Sequence, residues 1–93
     1  MLTALQQAKI VELTSRYDPA MVAVFGSRSR NDHAPDSDLD LLVNFRKPVN
    51  LLDLIGLEQE LSDVLGLHVD LVTERSLSPF IRPYVERDMV RII

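Results

Sequence analysis

The run Leu39–Phe45 constrains this chain most. It reads L-D-L-L-V-N-F and is entered through Ser37-Asp38 and closed by Arg46-Lys47-Pro48. A short apolar run bounded this way suits a strand. In a strand, residues two apart point to the same face. Asp38, Asp40 and Leu42 therefore share one face, and Leu39, Leu41 and Val43 share the other. Two carboxylates side by side at the mouth of a strand repel each other, and a cation is the usual remedy.

The chain reaches that pair through F-G-S-R-S-R-N-D-H-A-P-D-S-D, residues 25–38. Before it, residues 21–25 (M-V-A-V-F) form a continuous apolar run expected for a buried central strand. Gly26 ends that strand. Residues 27–30 are expected to make a short helical turn starting directly after Gly26-Ser27. Backbone N–H groups at such a turn attract anions, phosphate above all. Arg28 or Arg30 would neutralise the phosphate charge. Residues 31–37 form a loop broken by Pro35.

The remaining elements follow from periodicity. Residues 3–17 predict a helix with Leu2, Leu5, Ile10, Leu13 and Tyr17 on one side, capped by Thr3 with Gln6. Asp18-Pro19 stops it. Asn50 caps a second helix over Leu51–Leu65, whose apolar stripe is Leu51, Leu54, Leu57, Leu61, Val64 and Leu65. Gly66 ends that helix. A third strand is expected over 67–72, with Val69 and Leu71 facing one way and His68, Asp70 and Val72 the other. An irregular turn over 78–82 and a last helix over 83–91 complete the chain. Ile81, Tyr84, Val85, Met89 and Ile92 form its stripe. The order predicts an α/β or α+β fold, a small mixed β-sheet flanked by helices.

At 93 residues the expectation is one domain, 1–93. The chain holds no cysteine, which excludes disulfides and thiolate metal sites and fits a reducing, cytoplasmic setting. No apolar run approaches the ~20 residues of a membrane span, and the N-terminus lacks a signal-peptide pattern. The net charge of −4 argues against direct, unspecific nucleic-acid binding.

Three aspartates thus sit on apolar strands: Asp38, Asp40 and Asp70. Ionised carboxylates in such places are expensive unless paired or bound to metal. Converging, they make a hard-oxygen site suited to Mg²⁺ or Mn²⁺. Two such ions roughly 3.5–4 Å apart clamp an in-line phosphoryl displacement. With a phosphate turn at Gly26-Ser27, these parts describe nucleotidyl transfer from a nucleoside triphosphate. Each part has a blander reading: a solvated D-x-D, an ordinary turn, surface arginines. Their combination in one small fold is harder to dismiss. A calcium loop starting at Asp36 is rejected, since its sixth and twelfth positions hold Leu41 and Lys47 rather than glycine and glutamate. A G-x-x-x-x-G-K-[ST] phosphate loop is absent.

G-S-R-S-R followed by S-D-L-D-L-L-V and a later V-D-L-V resembles the minimal nucleotidyltransferases of the DNA polymerase β superfamily. The resemblance covers nearly the whole chain and implies that superfamily's palm-like fold. It implies that Gly26 and Ser27 contact the nucleotide phosphates, with Arg30 matching an arginine that often follows the G-S. Asp38 and Asp40 match the metal-binding pair. Asp70 matches the third carboxylate, which binds metal or deprotonates the acceptor hydroxyl. Ser29 and Asn31 depart from the alanine and glycine usual there. Minimal proteins of this kind are commonly encoded beside a HEPN-domain ribonuclease toxin. They are thought to transfer AMP from ATP to a tyrosine of that toxin, as its antitoxin. The resemblance therefore implies Mg²⁺ (two ions) or Mn²⁺, ATP as substrate, and a hetero-oligomer with a HEPN toxin.

The alternative is an antitoxin that neutralises by docking alone, through the last helix or exposed leucines of Leu51–Leu65. A degenerate fold without activity is a third reading, against which the intact Asp38, Asp40 and Asp70 count. His33 and His68 receive no role from the sequence. His33 falls in the loop, and His68 is expected at a solvated strand end despite sharing the Asp70 face.

Overall fold

In the computed structural model, which describes residues 2–26 and 38–93, the catalytic-looking run Leu39–Phe45 lies inside a four-stranded mixed sheet. Helix α1 (Ala4–Thr14) begins where the sequence places a cap. The Gln6 amide donates to Thr3 Oγ1 at 3.1 Å, and the Thr3 amide donates to Gln6 Oε1 at 2.9 Å. This reciprocal pair satisfies two of the amides a helix start leaves open. A single 3-10 turn, Ser15–Tyr17, follows. The chain then reverses at Asp18, whose φ of +53° is uncommon for a residue with a side chain.

Strand β1 (Pro19–Phe25) starts two residues earlier than its apolar core suggests, and β2 (Leu39–Phe45) matches expectation. Helix α2 (Leu51–Leu65) runs from the Asn50 cap, where Asn50 Oδ1 accepts from the Asp53 amide at 2.8 Å, to Gly66 at φ +69°. Strand β3 is Val69–Thr73, shifted past the expected 67–72. A turn at Glu74–Ser76 leads to helix α3 (Arg82–Asp88) and the two-residue strand β4 (Val90–Arg91).

The sheet order is β3-β2-β1-β4. β1 is antiparallel to both neighbours, while β2 and β3 run parallel. The period-two reading of β2 holds. Leu39, Leu41 and Val43 enter the main core with Ile10 and Leu13 of α1, Leu57 and Leu61 of α2, and Val69 and Leu71 of β3. Leu42 packs on the other side with Leu77 and Val85, joined by Phe25, Val72 and Met89. One face is thus thickly covered by α1 and α2, and the other thinly by α3 and its approach.

Two expectations fail for physical reasons. The last helix stops at Asp88 instead of reaching residue 91, and Val90–Arg91 pairs with Ala23 and Val24 of β1. The amide of Ile92 adds a hydrogen bond to the Val22 carbonyl at 2.7 Å. Completing the backbone pairing of a buried strand outweighs one more helical turn. Tyr84, expected on an apolar stripe, is accordingly 63% exposed, and only Val85 of that helix is buried. Likewise Leu5 (69%) and Leu51 (70%), expected on helical stripes, are exposed at their helix starts. Among the described residues, no helix is long and apolar enough to cross a membrane.

The outer edge of β3 is closed by α2. The Leu71 amide donates to Glu58 Oε2 at 2.7 Å, and the Val69 amide to Ser62 Oγ at 3.0 Å. Bare edge amides invite pairing with other chains, and two helix side chains cap these. Between α1 and α2, Arg16 forks onto the Glu60 carboxylate at the surface.

Leu61 is fully buried between α2 and the sheet, whereas Leu52 is an exposed leucine of the same helix. Leu61→Ala should therefore cost about 2–5 kcal/mol in urea unfolding, through lost transfer energy plus a cavity. Leu52→Ala should stay within about 0.5 kcal/mol.

Candidate active site

The site forms where three neighbouring strands bring their ends together. The β1–β2 register sets Phe25 opposite Asp40, and the parallel β2–β3 register sets Asp40 opposite Asp70. Gly26, Asp40 and Asp70 thus follow one another across the sheet. Asp38 lies just outside β2, and the amide of Leu39 donates to the His68 carbonyl at 2.9 Å, holding Asp38 and His68 side by side. All of this lies on the thinly covered face, because Asp40 and Asp70 alternate with core residues Leu39, Leu41, Val69 and Leu71.

Gly26 is fixed by the site as well as by the turn. Its φ is +76°, a region that side chains rarely adopt. A Cβ built there would lie 2.5 Å from Asp40 Oδ2, well inside contact distance. The absent side chain leaves room for the Asp40 carboxylate against the backbone.

Asp40 shows the electrostatic strain of the arrangement. Burial pushes its carboxyl above the ordinary aspartate range, and the charges of Asp70 and Asp38 push the same way. A hydrogen bond with Asp70 adds to the rise, while His68 opposes it. A hydrogen bond between two carboxyl groups requires a proton on one of them, so the pair competes for positive charge. The donor chemistry therefore fits a hard divalent cation.

Asp38, His68 and Asp70 each offer one donor atom, and these atoms lie within 4.8 Å of one another. His68 Nδ1 is 3.3 Å from Asp38 Oδ2 and 3.9 Å from Asp70 Oδ1. Of the residues expected at the site, Gly26, Asp38, Asp40 and Asp70 come together. Ser27, Arg28 and Arg30, together with His33 and Asp36, lie outside the described residues. His68, expected at a solvated strand end, is exposed as expected and also borders Asp38 and Asp70. The signal was present, since H-V-D places residue 68 on the Asp70 face. What the sequence could not supply was the register that sets residue 68 against Asp38.

Comparison with known proteins places the chain in a family. The nucleotidyltransferase domain model matches residues 8–92. The protein adenylyltransferase MntA of Thermococcus cleftensis is 42% identical over 81 residues, covering 87% of this chain and 82% of that protein. A crystal structure of a toxin–antitoxin complex with AMP-PNP superposes with a TM-score of 0.84 at 26% identity, covering 94% of this chain and 72% of the matched one. A complex of a tri-AMPylated Shewanella oneidensis HEPN toxin with an MNT antitoxin superposes with a TM-score of 0.77 at 25% identity, covering 96% and 70% respectively.

Asp40 has a sign-definite effect on stability. Its folded pKa is raised, so in metal-free protein its favourable contribution is complete below the unfolded value and is lost as pH rises through the folded pKa. Asp40→Asn removes that loss. In EDTA, thermal melts should show the variant gaining Tm over the wild type as pH rises from about 4 towards 7, and added Mg²⁺ should raise the wild type more than the variant. Gly26→Ala should instead destabilise by about 1 kcal/mol or more, from the left-handed backbone alone.

Proposed function

The chain belongs to the nucleotidyltransferase domain family, and we propose that it is a metal-dependent protein adenylyltransferase that moves AMP from ATP onto a tyrosine of a HEPN-domain toxin. The observation that carries this reading is the alignment of Asp40 with Asp70 across the parallel strands, beside Gly26 and Asp38. The names of the T. cleftensis relative and the S. oneidensis complex support the transferred group and the kind of acceptor. The chain's acidic balance fits a protein acceptor better than a nucleic acid.

The roles follow from the chemistry of each group. Asp38, Asp40 and Asp70 would hold Mg²⁺, as two ions, or Mn²⁺. A metal held there would supply neutralisation of the triphosphate charge and Lewis-acid activation of the phosphorus. Gly26 lets the backbone approach the triphosphate without a side chain between. Ser27 and Arg30, which lie outside the described residues, are the residues the motif assigns to its oxygens. Asp70 accepts the proton of the tyrosine hydroxyl as the new O–P bond forms at the α-phosphorus. The bond from that phosphorus to the bridging oxygen breaks, and pyrophosphate leaves with its electrons.

The second reading, neutralisation by docking alone, draws on one observation. Phe80, Ile81 and Tyr84 at the start of α3 are exposed, as are Leu51, Leu52 and Ile55 at the start of α2. Each set offers apolar surface to a partner. An enzyme acting on a protein must also dock, so the two readings are compatible.

Incubation of the purified chain with its toxin, ATP and Mg²⁺ should add AMP to a toxin tyrosine, read by mass spectrometry of the intact toxin and its peptides. Asp38→Asn combined with Asp40→Asn should abolish the addition while leaving complex formation intact. Continued AMP addition by the double variant would sink the proposal. Neutralisation that survives without any AMP addition would establish docking alone.

A further inference from the structure

We infer that His68 is itself a ligand of the metal this site holds, and that it tilts the site towards borderline divalent ions such as Zn²⁺ over Mg²⁺. The inference rests on the reading that the carboxylates bind a divalent cation. It goes beyond that reading by adding a nitrogen donor to an oxygen set.

The geometry singles out this residue. The His68 carbonyl accepts the Leu39 amide, which anchors its backbone beside Asp38. Its ring turns one nitrogen, Nδ1, towards both Asp38 and Asp70, although over half of the side chain is exposed and free to face water. A cation with bonds of about 2.0–2.2 Å keeps its ligand atoms roughly 3–4 Å apart. The two Nδ1 separations, 3.3 and 3.9 Å, fall in that interval. Among the described residues, Asp38, His68 and Asp70 bring one donor atom each within 4.8 Å of one another, so the imidazole joins Asp38 and Asp70 where Asp40 was expected. Asp40 sits deeper, against Gly26, and shares a hydrogen bond with Asp70.

The chemistry then sets the preference. Mg²⁺ favours oxygen ligands and near-ideal octahedral geometry, whereas imidazole suits Zn²⁺ and its neighbours in the first transition row. One nitrogen with two carboxylates is a donor set that Zn²⁺ accepts readily while leaving a position open. Exposure of Asp38 and His68 keeps that position accessible to a phosphate oxygen or water.

The test reads metal binding rather than turnover. The chain holds two histidines, His33 and His68, so nitrogen ligation can be assigned by removing each. Pulsed EPR of the Mn²⁺-loaded protein should show ¹⁴N coupling of an imidazole that survives His33→Ala and vanishes in His68→Ala. Calorimetry should show the Zn²⁺ Kd rising about tenfold or more in His68→Ala, in line with the usual cost of losing a metal partner. The Mg²⁺ Kd should change less than about twofold. His68 is exposed, so the variant should keep the wild-type circular dichroism spectrum. Coupling that persists in His68→Ala, or an unchanged Zn²⁺ Kd, overturns the inference and leaves the carboxylate site standing. Failure of the wild type to bind any of the three ions overturns both.

Discussion

The structure depends on one enforced repulsion. Parallel pairing of β2 with β3 holds Asp40 directly opposite Asp70, and partial burial of Asp40 limits the water that would screen it. A one-residue slip would relieve the carboxylates, but it would turn Leu39, Leu41 and Val43 out of the main core. Burying each such side chain is worth roughly 1.5–3 kcal/mol. The apolar face therefore locks the register, and the register keeps two acids together. Local instability at the sheet's end is maintained by stability in its middle, the pattern expected where strain serves chemistry.

Much of this was legible in the sequence, and the legible parts share a cause. Strand β2, helix α2 with its Asn50 and Gly66 ends, and the Thr3–Gln6 cap are set by local chemistry that needs no partner. Alternation in L-D-L-L-V assigned both faces correctly because each face buries something different. The illegible parts depend on what lies across space. Val90–Arg91 falls in a run that the helical stripe also fits, and it is extended because β1 has an edge to fill. Leu5 and Leu51 fit their helical stripes yet are exposed, because periodicity names a face and not what covers it. His68 became part of the site only through the register beside it.

The site also divides its labour between rigid and adaptable parts. Gly26, Asp40 and Asp70 are fixed by strand pairing and by a contact too close for any side chain at Gly26. Asp38 and His68 are exposed at the rim and anchored mainly through their backbones. The inner acids thus present one geometry to a ligand, whereas the rim can reorient by side-chain rotation alone. Small adjustments there need no movement of the sheet.

The Glu58 and Ser62 hydrogen bonds to β3 reach beyond the fold itself. A protein that met this sheet on the β3 side could not add a strand to it without first breaking two side-chain bonds from α2. That flank recognises shape and side chains rather than backbone. The opposite border is β4, a strand of two residues, too short to template a long pairing. Neither border of the sheet favours open-ended stacking of one copy on the next, so a chain rich in apolar residues is protected from joining its own kind edge to edge.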